Sequence, residues 1–170
     1  MYDVVMLVEE ELSSPDADRV VGLHASVPDH VRYHVIVPCE DAQARVQSSL
    51  SGLASTEFYG LTAERHSIAS EDEMRTAQRQ AQEAVDAQAN AALERSIDRL
   101  RSLGQDATGL IAHGRPLDEL SEQIQRVNGQ EVVVLTRPHV VAEFFHVDWS
   151  SQARRHLGVP VLHLLEAHNS

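Results

Sequence analysis

The chain has 170 residues, 42% of them hydrophobic and 24% charged, with a formal net charge of −12. That length suits one compact domain with a full core, since domains commonly run to about 100–150 residues. Its charge repels phosphate backbones and anionic headgroups, so neither nucleic acid nor a membrane surface is an expected partner.

A sole cysteine, Cys39, excludes an intramolecular disulfide and a thiolate zinc cluster. All fourteen basic residues are arginine, which excludes Schiff-base chemistry and a Walker lysine. The apolar run at the N-terminus, MYDVVMLV, lacks a basic flank and is too short to span a bilayer, so a cytoplasmic protein is expected.

Tyr2 to Val8 reads as a first strand, followed by the acidic loop Glu9 to Ser14. Ser14 is the expected N-cap of a short helix with Pro15 in its first turn and Val20, Val21, Leu23 and Ala25 as its apolar residues. His30 to Pro38 reads as a second strand, with Val31, Tyr33, Val35 and Val37 alternating against Arg32, His34 and Ile36. Residues 40–70 mix small and large side chains, and a short helix around Ala42 to Leu50 is expected there. Glu71 to Leu103 contains neither Gly nor Pro and is rich in Ala, Gln, Glu and Arg. It predicts a long helix with Met74, Ala77, Ala81, Val85, Ala89, Leu93, Ile97 and Leu100 along its apolar stripe and Gly104 as its stop.

Short apolar runs then alternate with helical patterns: Gly109 to His113, a helix from Pro116 carrying Leu117, Leu120, Ile124 and Val127, Glu131 to Thr136, a helix starting near Asp148 or Ser150 with Trp149, Ala153 and Leu157 inward, and Val159 to Leu165. Strands separated by helices run parallel and are buried on both faces. The expected fold is therefore an α/β domain spanning 1–170, with a doubly wound open parallel sheet of about five strands. In such a sheet ligands bind beyond the carboxyl ends of the strands.

GLIAHGRPLDELSEQIQRVNGQEVVVLT and RRHLGVPVLHLL resemble the universal stress protein family, with its strand, Gly-x-Pro and helix, then its closing helix and Pro-Val-Leu strand. The resemblance implies a Rossmann-like fold, a stress-response or signalling context and a homodimer. It also implies an ATP loop of pattern Gly-x2-Gly-x9-Gly-Ser/Thr after the fourth strand, whose glycines let backbone amides approach the phosphates. Counted forward from the strand, those glycine positions fall on Thr136, His139 and Trp149, with Ser150 as the hydroxyl; counted back from Pro160, the last pair falls on Val147 and Asp148. Neither register contains a glycine, and Pro138 removes an amide donor. The acidic residue that ends the first strand in the family is represented by Glu9, with Glu10 and Glu11 beside it. ATP is therefore not an expected cofactor.

The remaining ligand crevice is expected at Val8, Glu9, Val37, His113, Gly114, Arg115, Thr136, Arg137, His139 and Ser150. Arg115 and Arg137 are candidates for a small cationic pocket that takes a carboxylate or phosphate. His113, His139 and His146 with Glu143 or Asp148 carry metal-ligand chemistry but lack HExxH or i, i+4 spacing, so no metal site is expected. Cys39 beside Glu40 and Asp41 reads as an inert thiol. Phe144, Phe145 and Trp149 read as a plug over the sheet top or a partner patch.

No catalytic set of nucleophile, base and oxyanion donors is evident in the sequence. The expected function is a regulatory or interaction module without ATP binding. The alternative is a protein that binds adenosine or a nucleoside monophosphate, and an enzyme of the nucleotide-binding α/β group ranks third. The final run VPVLHLL lacks edge-protecting charges and is the expected homodimer seam; another protein partner or a small molecule stays open.

Overall fold

The computed structural model describes residues 1–39, 71–137 and 149–167. Five strands, β1 (Tyr2–Val8), β2 (Val31–Pro38), β3 (Asp106–Ala112), β4 (Glu131–Thr136) and β5 (Val161–Leu165), alternate with helices α1 (Ser14–Leu23), α2 (Glu71–Ser102), α3 (Pro116–Val127) and α4 (Trp149–Leu157). The strands form one parallel sheet in the order β3-β2-β1-β4-β5. The chain winds outward from β1 through β2 to β3, then returns to place β4 on the other side of β1. The topological switch therefore lies between β1 and β4, as in a doubly wound fold.

Why these residues make this sheet follows from their burial. Val4 to Val8 and Val132 to Leu135 are continuous buried runs in β1 and β4, which have neighbours on both sides. One face presents Val5, Leu7, Ile36, Val132 and Val134 to Leu120 and Ile124 of α3 and to Ala153 and Leu157 of α4. Alternate residues turn to the other face. There Leu93 of α2 lies over Gly109, and His24, just past α1, packs edge-on against Tyr33.

The chain divides into two compact units, Met1–Pro38 with Ala89–Ser170, and Cys39–Gln88. The first holds the sheet. In the second, the Cys39 thiol donates to Asp86 Oδ1 at 3.0 Å and Gln82 Nε2 donates to the same oxygen at 2.8 Å.

Several local expectations change. The N-cap of α1 is Ser13, whose Oγ accepts the Asp16 N–H, and Pro15 follows in the first turn. Asp16, Ala17 and Val20 turn inward, while Leu23 is exposed. Strand β3 starts three residues before Gly109 and is an edge strand, so Thr108 and Gly109 are exposed. The long helix ends at Ser102, with Gly104 following at φ +77°, and Met74 is exposed while Ala89, Leu93 and Leu100 are buried. The helix expected around Ala42 to Leu50 lies outside the described residues, as do Phe144 and Phe145.

Candidate functional site at the strand carboxyl ends

At the switch point β1 ends in Val8, fully buried, and Glu9 follows. The Glu9 N–H donates to the Leu135 carbonyl at 3.1 Å, which extends the ladder between β1 and β4 by one bond. That bond fixes the Glu9 backbone beside the end of β4. Its carboxylate then accepts the backbone N–H of Arg137 at 2.7 Å. The first amide beyond β4 is thus satisfied by an acid of the same chain.

The rest of the acidic loop is paired in the same way. Arg137 donates from its guanidinium to Glu10 and lies 3.5 Å through Nε from Glu166 Oε2. Glu11 accepts from Arg95 at 2.8 Å and from Arg99, and these arginines hold its carboxyl below the usual carboxylate range despite partial burial. Arg99 also donates to the Leu12 carbonyl, and the Leu12 N–H donates to the buried Ser96 hydroxyl at 2.9 Å. The three adjacent carboxylates of Glu9, Glu10 and Glu11 are each matched by an arginine or an amide. The amide donor at the end of β4 is thus occupied by Glu9 rather than left facing bare negative charge.

Thr136 is buried and shares a 2.7 Å hydrogen bond with His163 Nε2 of β5. Burial holds that imidazole's pKa below its ordinary value. Beyond β5, Glu166 donates its N–H to the Thr136 carbonyl at 2.9 Å, while its Oε1 is buried with no hydrogen-bond partner among the described residues. Burial pushes the Glu166 carboxyl up to about 7; Arg137 opposes this, and Glu9, Asp16 and Glu10 reinforce it.

The sign of that shift gives a test. As pH rises from 4.5 towards 7, Glu166 ionises in the unfolded chain while the folded carboxyl keeps its proton, so stability falls across that window. Glu166→Gln should remove this fall and stabilise the protein above pH 7 by about 1–2 kcal/mol, after allowance for solvent screening at a side chain 17% exposed. Urea midpoints at about pH 5 and about pH 8 measure it. A variant whose midpoints fall in parallel with the wild type would show that this carboxyl is not the titrating group.

The other expected site residues divide into groups. Val37 is buried in β2 next to β1. His113, Gly114 and Arg115 are exposed at the end of β3; the Gly114 N–H donates to Glu119 Oε1 at 3.0 Å, and Arg115 occupies the N-cap position of α3, its Nε donating to Asp118 Oδ2 at 3.0 Å. Strands β2 and β1 lie between β3 and β4, the strands that lead to Arg115 and Arg137, so those two strands stand about 14 Å apart at the usual spacing. Arg115 and Arg137 pair with different acids, Arg115 with Asp118 and Arg137 with Glu10 and Glu166. Ser150 stands in the first turn of α4, and His139 lies outside the described residues, as do His146, Glu143 and Asp148. Among the described residues no helix is long and apolar enough to cross a membrane.

Comparison with solved structures follows the same architecture over nearly the whole chain. The fold is that of the universal stress proteins. A universal stress protein family protein from Arabidopsis thaliana, solved with AMP bound, superposes with a TM-score of 0.52 at 13% identity, over 99% of this chain and 94% of that one. A universal stress protein from Archaeoglobus fulgidus gives a TM-score of 0.52 at 10% identity, over 96% and 93% of the two chains. No family model matches the sequence, and no curated protein is significantly similar to it. The universal stress protein fold is thus shared at 10–13% sequence identity.

Sequence reasoning missed Glu166, Asp16 and a polar chain of Asp3, His34 and Thr108. His34, in the middle of β2 among buried residues, was the available signal, because a buried imidazole requires partners.

Proposed function

We propose that this chain is a universal stress protein-like regulatory or interaction module that does not use ATP. The observation that carries the reading is the 2.7 Å bond from the Arg137 amide to the Glu9 carboxylate at the switch point. A phosphate oxygen entering there must displace a carboxylate from the donor it needs and then sit beside it, which costs both the bond and like-charge repulsion. The stretch from Arg137 to Ser150 adds no glycine through which other backbone amides would approach a triphosphate. The protein acts in the cytoplasm through contacts, as a homodimer joined along β5. That strand is the sheet edge, and Leu165 at its end is exposed.

Thermal unfolding with ATP and with ADP tests this. A ligand at a hundred times its Kd stabilises a fold by about 2.7 kcal/mol. That would raise the midpoint by about 5–10 °C for a chain of this size. No shift is expected with either nucleotide, and a rise of that order would overturn the proposal.

The second reading is that the crevice takes adenosine or a nucleoside monophosphate, which asks for fewer phosphate donors. The AMP in the Arabidopsis structure supports it. Isothermal titration with AMP and adenosine distinguishes the two: heat with these ligands and none with ATP selects the second reading.

A further inference from the structure

In the amino-terminal halves of β1, β2 and β3, three side chains on adjacent strands form a continuous polar chain. Asp3 Oδ1 of β1 lies 2.8 Å from His34 Nε2 of β2, and His34 Nδ1 lies 3.2 Å from the Thr108 hydroxyl of β3. Thr108 stands directly opposite His34 in the register, and Asp3 is the diagonal neighbour, opposite Arg32. The partners determine the tautomer. An ionised carboxylate only accepts, so Nε2 carries the proton and Nδ1 is left to accept from the threonine O–H.

Exposure differs sharply between the hydroxyl and the two groups behind it. Thr108 is exposed, the His34 side chain is 6% exposed and that of Asp3 15%. An accessible hydroxyl, a shielded base bonded to it and a carboxylate orienting that base are the parts of an activated nucleophile. All three sit on strands of one sheet, so the spacing is held by backbone ladders rather than by loops. Arg32 projects from the same face of β2 two residues before His34, about 7 Å along the strand. It has no hydrogen-bond or ion-pair partner among the described residues.

We propose that Asp3, His34 and Thr108 form an acyl-transfer site that accepts small carboxylic esters from the open face of edge strand β3. Thr108 Oγ1 attacks the ester carbonyl while its proton passes to His34 Nδ1. The carbonyl π pair becomes the oxyanion, with the Arg32 guanidinium as its counter-charge. Collapse of that intermediate breaks the bond to the alcohol oxygen, which leaves with the proton from His34. Water then repeats the sequence on the acyl-threonine and releases the carboxylic acid. Asp3 is a positioning residue: it holds the imidazole in the tautomer that accepts.

The experiment uses the full chain with p-nitrophenyl acetate, following release of p-nitrophenol and mapping the acetyl group by peptide mass spectrometry. The acetyl group is expected on Thr108. Thr108→Ala should slow release about 10²-fold, the lower range for loss of acid–base assistance. Thr108→Ser should keep the activity and Asp3→Asn should lower it. Because Thr108 is exposed, circular dichroism of Thr108→Ala should be native. An acetyl group mapped elsewhere, or a Thr108→Ala variant that hydrolyses the ester as fast as the wild type, would overturn the site and leave a structural hydrogen-bond chain.

Discussion

Gly109→Val is expected to destabilise the fold by about 3 kcal/mol or more, at the upper end of overpacking costs. That would lower the thermal midpoint by about 6–12 °C. A Cβ built at this position meets the Val35 carbonyl oxygen at 2.5 Å and Leu93 Cδ1 at 2.6 Å. The leucine methyl ends a flexible side chain and can rotate aside, but the carbonyl belongs to β2 and cannot move without opening the ladder between β2 and β3. Val35 and Gly109 are partners in that register, so the damage falls on the strand pair that also carries His34 and Thr108. High β-propensity of valine offers no compensation where the backbone already fills the space. Gly22 in α1 is the matched control: nothing lies within 4 Å of its Cβ position, so Gly22→Ala should stabilise the protein by about 0.5–1 kcal/mol. Equal effects at the two glycines in differential scanning calorimetry would contradict the packing at Gly109.

That glycine also shows where the sequence is legible and where it is not. The central strands announce themselves, because Val4 to Val8 and Val132 to Leu135 are apolar on both faces and only a doubly covered parallel strand needs that. The edge strand does not. Asp106 and Thr108 sit on its open side, where polar residues are tolerated, so its first three residues read as loop. The long helix is readable from the absence of Gly and Pro and from its glycine stop, but its apolar spacing gives no sign that Met74 stays exposed.

At the crevice, Glu9 is legible as the first acid after the first strand, whereas its partner is a backbone amide 128 residues away that strand pairing alone brings near. Arg115 and Arg137 are legible as cations after the third and fourth strands. The order β3-β2-β1-β4 separates them, and spacing along the chain carries no information about that order. The chain from Asp3 to Thr108 is hidden for the same reason, since its members sit on three strands, β1, β2 and β3, far apart in sequence.

Asp16→Ala is expected to cost about 2–3 kcal/mol, the range for leaving buried hydrogen-bonding groups without partners. Asp16 has no exposed surface, an unusual state for a carboxylate, and its oxygens are fully engaged. Both accept the Ala167 N–H, at 3.0 and 3.2 Å, and one accepts the Ser13 hydroxyl at 2.6 Å. The variant keeps the helix cap, because the Asp16 N–H still donates to Ser13 Oγ. What it loses is the tie between α1 and the segment that leaves β5, with the Ala167 amide orphaned. Arg19 still donates to the Leu165 carbonyl at 3.0 Å, so the loosening should begin just beyond that residue.

Urea denaturation should show the lost stability, and hydrogen exchange should show protection lost at Ala167 first. Glu166, next in sequence and with one orphan oxygen, should respond in the opposite direction when neutralised. Two neighbouring acids with opposite mutational signs would establish that hydrogen-bond saturation, rather than burial alone, decides whether a carboxylate supports this end of the sheet. Destabilisation by both Asp16→Ala and Glu166→Gln at about pH 8 would contradict that account.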